Sequence, residues 1–150
     1  MSLKTDLSRD LVEAMKAHDE LKVGVLRLVS SAIHAKGIEK RGKGGSEEMS
    51  DAEILDILRT EVKKRREAAQ IFEKANRNDL AEKEHAEVKI IQKYLPAEMD
   101  AAKVNDEVKR ILGSGEGKDF GSAMKAVMAE LKGKADAKII GDAVKSILGS

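Results

Sequence analysis

Hydrophobic residues recur at helical spacing along most of the chain. The first stripe repeats at every fourth position and consists of Leu3, Leu7, Leu11 and Met15. The second begins near Asp19 and consists of Leu21, Val25, Leu28, Val29, Ala32 and Ile33. Because residues three or four positions apart lie on one side of an α-helix, the two stripes predict two amphipathic helices. No segment has the alternation that is typical of a β-strand, so we expect an all-α protein.

A capping signal predicts a long third helix. The segment RGKGGSEEMS, residues 41–50, contains three glycines and indicates a loop. Ser50 is followed three residues later by Glu53, which is the pattern of a capping box. In a capping box, each of the two side chains accepts a hydrogen bond from a backbone N–H of the other residue. We therefore expect the third helix from about residue 51 to about residue 75.

A fourth helix leads to the expected domain boundary. The segment NRND interrupts the third helix, and Asn78 or Asp79 is the expected N-cap of the fourth. The fourth helix should end before Pro96, because a residue that precedes proline avoids the α region. We place a boundary here, between an N-terminal domain of about four helices, residues 1–95, and a C-terminal domain, residues 96–150.

Three shorter stripes predict a C-terminal three-helix bundle. Gly133 is expected at the C-cap of the second short helix, and Asp136 at the N-cap of the third. The apolar residues of the three helices are Val104, Val108, Ile111 and Leu112; Met124, Val127, Met128 and Leu131; and Ile139, Ile140, Ala143, Val144, Ile147 and Leu148.

The composition excludes several classes of protein. Of the 150 residues, 41% are hydrophobic and 37% are charged, and the chain has no cysteine. Disulfides, thiol catalysis and thiolate zinc sites are therefore excluded. No apolar run approaches the roughly 20 residues of a membrane span, and the first ten residues contain no apolar signal segment. These features predict a cytoplasmic protein that does not act at a membrane.

Charge is balanced in both parts of the chain. Residues 1–95 contain 19 basic and 18 acidic residues, and residues 96–150 contain 9 of each. Neither part has the strong positive charge that is typical of a nucleic-acid-binding domain, and we expect no DNA partner. Any contact with RNA must come from local clusters of basic residues.

The sequence offers no catalytic, metal or cofactor site. The segment GSGEGKD, residues 113–119, has the wrong spacing for a phosphate-binding loop, so a connection between helices is favoured. RGKGG, residues 41–45, could attract phosphate, but a flexible surface loop is the favoured interpretation. Glu84, His85 and Glu87 are interpreted as a solvated or salt-bridged helix face. A helix-borne zinc motif needs two histidines four positions apart, which is absent among His18, His34 and His85.

Two basic clusters are candidates for RNA binding. KKRR, residues 63–66, lies within the third helix, where its charges point around the circumference, and a solvated face is favoured there. The C-terminal lysines are better ordered, because most of them are spaced by seven and drift only slightly around a helix. Such a surface can bind successive phosphates, although solvated lysines on a stable bundle would have the same spacing. The candidate RNA-binding residues are Lys118, Lys125, Lys132, Lys134, Lys138 and Lys145. The scarcity of aromatic residues favours recognition of folded RNA over base stacking.

Segments across nearly the whole chain resemble the YqeY family of small bacterial proteins. The segments are LRLVSSAIHAKGIEK, EVKKRREAAQIFEKANRNDLAEKEHAEVKIIQKYLPAEM and GKDFGSAMKAVMAELKGKADAKIIGDAVKSIL. The pattern R-x-D-L…E-x-x-E…Y-L-P falls on Arg77, Asp79, Leu80, Glu84, Glu87, Tyr94, Leu95 and Pro96. The pattern G-x-x-M…G-K-A-D falls on Gly121, Met124, Gly133, Lys134, Ala135 and Asp136. The family often has glycine after this aspartate, whereas this chain has Ala137, which suits the start of a helix.

The resemblance implies a function as well as a fold. It implies a helical N-terminal domain, a small C-terminal bundle, and kinship with the tail of the GatB subunit of the tRNA-dependent amidotransferase. That tail is thought to hold tRNA, whereas the kinase and glutaminase chemistry lies elsewhere. We therefore expect a non-catalytic accessory protein that binds tRNA through its C-terminal domain. Two alternatives stay open: an adaptor that binds a protein partner through residues 1–95 without RNA, and a glutamine-dependent aminoacyl-tRNA amidotransferase, which is a carbon–nitrogen ligase.

Overall fold

The computed structural model describes residues 2–113 and 119–149, which form seven α-helices and no β-strand. The prediction of an all-α fold is confirmed. None of the helices in the described residues has an apolar stretch long enough to cross a membrane. The helices are α1 (Leu3–Lys16), α2 (Glu20–Gly42), α3 (Asp51–Lys74), α4 (Asn78–Gln92), α5 (Ala101–Leu112), α6 (Phe120–Leu131) and α7 (Ala137–Leu148).

The chain divides into two compact units, of which the first ends at Leu95 and the second begins at Pro96. In the first unit, α1 packs against α2 and α3 packs against α4. The turn within each pair contains a residue with a left-handed backbone, His18 (φ 56°) or Asn76 (φ 58°). Asparagine visits this conformation more readily than most residues. The buried core is entirely aliphatic and consists of Leu7, Val25, Leu26, Val29, Ile33, Ile54, Leu58, Val62, Val88 and Ile91.

Two predicted helix starts in the first unit are confirmed. Asp19 is the N-cap of α2, and its carboxylate accepts a hydrogen bond from the Lys22 N–H at 3.1 Å. At α3 the Ser50 hydroxyl accepts from the Glu53 N–H at 3.2 Å, and the Glu53 carboxylate accepts from the Ser50 N–H at 2.8 Å. The capping box is therefore complete.

The predicted start of α4 is wrong by one to two residues. The N-cap is Arg77, not Asn78 or Asp79, and its side chain makes no capping hydrogen bond. The left-handed backbone at Asn76 reverses the chain early, so Asn78 is already helical. The Asp79 carboxylate instead accepts hydrogen bonds from the Arg77 guanidinium, with both nitrogen–oxygen distances at 3.2 Å.

The loop after α2 is also shorter than predicted, because α2 includes Arg41 and Gly42. The first left-handed glycine is Gly44 (φ 88°), where the chain turns back. The following segment lies against α2, since a Cβ atom on Gly37 would stand only 2.8 Å from the carbonyl oxygen of Glu47. Only glycine fits at this position without a shift of the backbone.

The second unit is a bundle of α5, α6 and α7. Three aspartates cap the three helices, and Asp136 is the N-cap of α7, as predicted. The C-cap of α6 is Lys132, and Gly133 follows it with a φ of 78°, so the predicted C-cap is wrong by one position. The buried core consists of Val104, Val108, Leu112, Ala123, Val127, Leu131, Ala135, Ile140, Ala143 and Val144.

Replacement of Ser50 by Ala should lower the free energy of unfolding of the first unit by about 1 kcal/mol, because one backbone N–H of α3 loses its hydrogen-bond acceptor. Chemical denaturation followed by circular dichroism measures the change. Ser8→Ala, at an exposed position within α1, is the control and should stay within about 0.5 kcal/mol of the wild type. Equal effects of the two substitutions would contradict a capping role for Ser50.

Candidate nucleic-acid interface

The lysines predicted to bind RNA are exposed wherever the structure describes them. Lys125 lies on α6, Lys132 caps its C-terminus, and Lys134 lies in the turn that leads to α7. Lys138 is in the first turn of α7 and Lys145 in its last. The sixth predicted residue, Lys118, lies outside the described residues.

The turn between α6 and α7 has a defined backbone. The Lys134 N–H donates to the Leu131 carbonyl at 2.9 Å, and the Lys134 carbonyl accepts from the Met99 N–H at 2.9 Å. Ala135 is buried, and the next residue, Asp136, accepts a hydrogen bond from the Lys138 N–H at 2.8 Å. Lys134 and Lys138 therefore extend from backbone that hydrogen bonds hold in place.

The structure brings three of the lysines to one end of the second unit. Lys132, Lys134 and Lys138 surround the α6–α7 turn. Lys125 lies two helical turns from Lys132, about 10 Å along α6. Lys145 lies near the other end, because its ammonium stands 5.8 Å from the centroid of the Phe120 ring at the start of α6. The candidate surface is thus a cluster around one turn with two more distant lysines.

Four of these lysines form no ion pair within the residues that the structure describes; they are Lys125, Lys132, Lys134 and Lys138. Arg110 in the same unit behaves differently. Its guanidinium contacts the carboxylates of Glu107 at 3.0 Å and Glu130 at 2.5 Å. The hydrogen bond to Glu130, followed by that to Glu107, raises the pKa of Arg110 above its ordinary value. The four lysines are more available to an external anion than Arg110.

Acidic residues limit the positive charge of this surface. Asp142 lies four positions after Lys138 and therefore near it on α7. At the turn, Asp136 uses its carboxylate to cap α7. The N-terminus of a helix carries partial positive charge, which adds to the charge of Lys134 and Lys138. The partial negative charge at the C-terminus of α6 and the Asp136 carboxylate lie at the same turn and offset part of this positive charge.

The KKRR segment does not form a simple solvated face. Lys63 and Lys64 are exposed, but Arg65 is only 8% exposed. The Arg65 Nη1 atom donates to the Glu61 carboxylate at 2.7 Å and to the Glu61 carbonyl at 3.2 Å. The interpretation as a solvated face is therefore wrong for Arg65, because the side chain packs into the first unit instead of extending into solvent.

Residues of the YqeY pattern make structural contacts in the first unit. Burial, followed by the charge of Glu87, raises the pKa of Glu84, while the nearby Arg65 lowers it. The Tyr94 hydroxyl donates a hydrogen bond to the Asp10 carboxylate at 2.5 Å and so joins the end of α4 to α1. This contact spans 84 residues, and no local pattern in the sequence could have indicated it.

The side of α4 that carries Glu84, His85 and Glu87 is only partly solvated, because Glu84 and Glu87 are half-buried while His85 is exposed. The His85 Nε2 atom lies 2.9 Å from the Glu73 carboxylate, which links α4 to α3. Among the described residues, no group of three or more histidine, aspartate or glutamate side chains is arranged to hold a metal ion.

These features define a class of helical proteins with two units. The second unit carries a lysine cluster around the α6–α7 turn, whose backbone is held by hydrogen bonds. A family model described as Yqey-like protein matches residues 4–148. The chain therefore belongs to the YqeY-like family, and the family prediction is confirmed.

Similar proteins occur in yeasts. Altered inheritance of mitochondria protein 41, mitochondrial, from Saccharomyces cerevisiae is 32% identical over 132 residues, which cover 88% of this chain and 62% of that protein. The protein of the same name from Lachancea thermotolerans is 33% identical over 90 residues, which cover 60% of this chain and 46% of that protein. An uncharacterized protein from Schizosaccharomyces pombe is 30% identical over 95 residues, which cover 63% of this chain and 73% of that protein.

The chain thus spans less than two thirds of the length of the two mitochondrial relatives. Their names place those proteins in mitochondria and state no activity. The cytoplasmic location of this chain stays a prediction.

Replacement of Tyr94 by Phe tests the long-range contact between α4 and α1. The hydrogen bond from Tyr94, followed by the hydrogen bond and charge of Arg9, lowers the pKa of Asp10. A lowered folded-state pKa stabilises the fold above the unfolded-state pKa, and this stabilisation is lost as pH falls through the folded-state value. Tyr94→Phe should therefore cost about 1–2 kcal/mol near neutral pH, and the cost should shrink below about pH 4.

Urea denaturation at several pH values measures this difference. In the Asp10→Asn background, where no carboxylate titrates at this position, the cost of Tyr94→Phe should be smaller and should not change over the acidic range. If the loss of unfolding free energy caused by Tyr94→Phe does not change with pH even when Asp10 is present, the link between the two side chains is disproved.

Proposed function

We propose that this protein is a non-catalytic accessory protein that binds tRNA through the lysine cluster of its second unit. The observation that carries the proposal is the group of four exposed lysines, Lys125, Lys132, Lys134 and Lys138, which form no ion pair in the described part of the chain. Each lysine that binds a phosphate releases condensed counterions, so contacts of this kind supply affinity without base readout.

The nature of the surface favours folded RNA as the ligand. The lysines extend from two helices and a turn whose backbone is held by hydrogen bonds. Such a surface can match the spacing of phosphates on a folded RNA. The chain has only three aromatic residues, Phe72, Tyr94 and Phe120, and Tyr94 is partly buried in the other unit, so stacking of several single-stranded bases is disfavoured. The resemblance of the chain to the tail of GatB supports tRNA in particular.

The proposal includes the absence of amide transfer by the purified chain. The sequence supports this absence of amide transfer. It contains no segment with the spacing of a phosphate-binding loop for ATP, and it contains no cysteine that could act as a nucleophile. Incubation with glutamine, ATP and misacylated tRNA should therefore yield no amidated aminoacyl-tRNA. Product formed by the chain alone would identify a carbon–nitrogen ligase and disprove the non-catalytic role.

A second candidate function is that of a protein-interaction adaptor. Val12 and Met15 on α1 are 50% and 47% exposed, so the first unit presents apolar side chains to solvent. Affinity capture from a lysate with and without nuclease distinguishes the two functions. Partners that disappear after nuclease treatment favour RNA binding, and partners that stay bound favour the adaptor.

The decisive test removes the four lysines together. The variant replaces four lysines by alanine and leaves every buried residue of the second unit unchanged. The substitutions are Lys125→Ala, Lys132→Ala, Lys134→Ala and Lys138→Ala. Surface substitutions of this kind usually change stability by no more than about 0.5 kcal/mol each, so the helical fold should survive. The affinity for tRNA should fall, and the slope of log affinity against log salt should flatten by roughly 0.7–0.9 for each phosphate that the variant no longer binds. Fluorescence titration at several salt concentrations measures both.

A matched control removes four exposed lysines of the first unit, Lys4, Lys63, Lys83 and Lys89. The net charge changes by the same amount, but affinity and salt slope should stay close to those of the wild type. If the control set abolishes binding and the first set does not, the RNA site lies in the first unit. Absence of binding by the wild type at low salt would refute the proposal as a whole.

A further inference from the structure

The side of α2 that faces away from the core is apolar or small over five helical turns. We name this row the outer stripe; it consists of Leu21, Gly24, Leu28, Ser31, Ala35 and Ile38, all of them exposed. Leu28 and Ile38 are 56% and 53% exposed. The solvent side of a helix is normally polar, and exposed apolar rows mark interaction sites. In a chain with 37% charged residues, the lack of charge in this row requires an explanation.

The spacing of the outer stripe is that of a helix-pairing seam. Its six residues are separated by three, four, three, four and three positions. This alternation is the a and d pattern of a heptad repeat, in which one side of each helix faces a second helix along its length. The row also drifts slowly around α2, which is the geometry of two helices that wind around each other. The stripe therefore fits a partner helix better than an irregular surface.

The small residues of the stripe allow close approach of another helix. A Cβ atom added to Gly24 would meet no heavy atom within 4 Å. Ser31 and Ala35 are also small, whereas Leu21, Leu28 and Ile38 project further. The row thus offers large side chains near both ends and at one central position, with space between them for the backbone and side chains of a partner.

We propose that α2 pairs antiparallel with α2 of a second copy of this chain. In that arrangement Leu21 packs against Ile38 of the partner subunit, and Gly24 packs against Ala35 of the partner subunit. Leu28 then fills the space beside Ser31 of the partner subunit. A two-fold axis passes between Leu28 and Ser31, so the same contacts form twice, as in other isologous dimers.

Charges that flank the outer stripe favour a second copy as the partner. In antiparallel pairing, Glu20 lies beside Arg41 of the partner subunit, and opposite charges at these flanking positions set orientation. Glu20 is exposed, and the Arg41 side chain is 73% exposed although it pairs with Glu47 at 3.2 Å. The guanidinium therefore has room for a second carboxylate. Parallel pairing would place Glu20 beside Val25, which offers no charge.

Cross-linking tests the pairing and its direction. The chain has no cysteine, so Leu21→Cys and Ile38→Cys each introduce a single thiol. When the two full-length variants are mixed and oxidised, a Leu21→Cys chain should cross-link to an Ile38→Cys chain. The Leu21→Cys variant alone should not cross-link, because antiparallel pairing separates its two thiols by about 25 Å, and a disulfide requires Cα atoms within about 7 Å.

Two results would overturn the proposal. Efficient cross-linking of Leu21→Cys with itself, without cross-linking to Ile38→Cys, indicates parallel pairing. A lack of any cross-link, together with sedimentation of a monomer at all concentrations, indicates that another molecule or only solvent covers the stripe.

Sedimentation equilibrium of the full chain without RNA measures the association itself. Leu28→Lys should raise the dissociation constant of the dimer by roughly tenfold or more, because two leucine side chains per dimer are no longer buried. Ile71→Lys is the matched control, since Ile71 is a 66% exposed apolar residue on α3, and it should leave the dissociation constant unchanged. If both substitutions weaken association equally, the association is nonspecific contact between exposed apolar side chains. That result would refute the helix pairing. These measurements contain no RNA, so their outcome is independent of the proposed tRNA binding.

Discussion

The packing of short aliphatic side chains in two separate cores is the interaction on which the rest of the structure depends. No aromatic side chain is among the buried residues of either core. Leucine, isoleucine, valine and alanine fill the interior, and side chains of this size require helices to pack closely along their length. Each helix must therefore begin and end at a defined residue, or its apolar side would not face its neighbours.

The ends of the helices meet this requirement through polar contacts. Ser50 and Glu53 close the start of α3, and aspartates close the starts of α5, α6 and α7. Tyr94 has a comparable role at longer range, because its hydrogen bond to Asp10 joins the end of α4 to α1. Tyr94 and Asp136 belong to the family pattern, so part of this pattern stabilises the fold.

The two candidate binding surfaces belong to different units. The lysine cluster surrounds the α6–α7 turn of the second unit, and four of the candidate lysines form no ion pair within the described residues. The outer stripe of α2 lies in the first unit and is apolar. Electrostatic attraction to phosphate and burial of apolar surface are different driving forces, and they respond oppositely to salt. The two surfaces can therefore be studied independently.

The sequence by itself determined the helices, some of their N-caps and the family. Helical periodicity and capping are local, so the stripes of α1, α2, α5, α6 and α7, the Ser50–Glu53 box and the Asp136 cap could be predicted without tertiary information. The spacing of the candidate lysines could also be read from the sequence, whereas their exposure, for those that the structure describes, is a finding of the structure. The exact start of α4 could not be predicted, since it depends on the left-handed backbone of Asn76.

Only the tertiary structure decided which charged and apolar residues have partners. Arg65 is part of a basic run in the sequence but is buried with Glu61, and Arg110 is engaged by Glu130 from another helix. Leu28 belongs to an apolar stripe in the sequence, yet it faces solvent while Val25 and Val29 are buried. The physical reason is that pairing and burial depend on which helices pack together, and the contacts between helices join residues far apart in the chain.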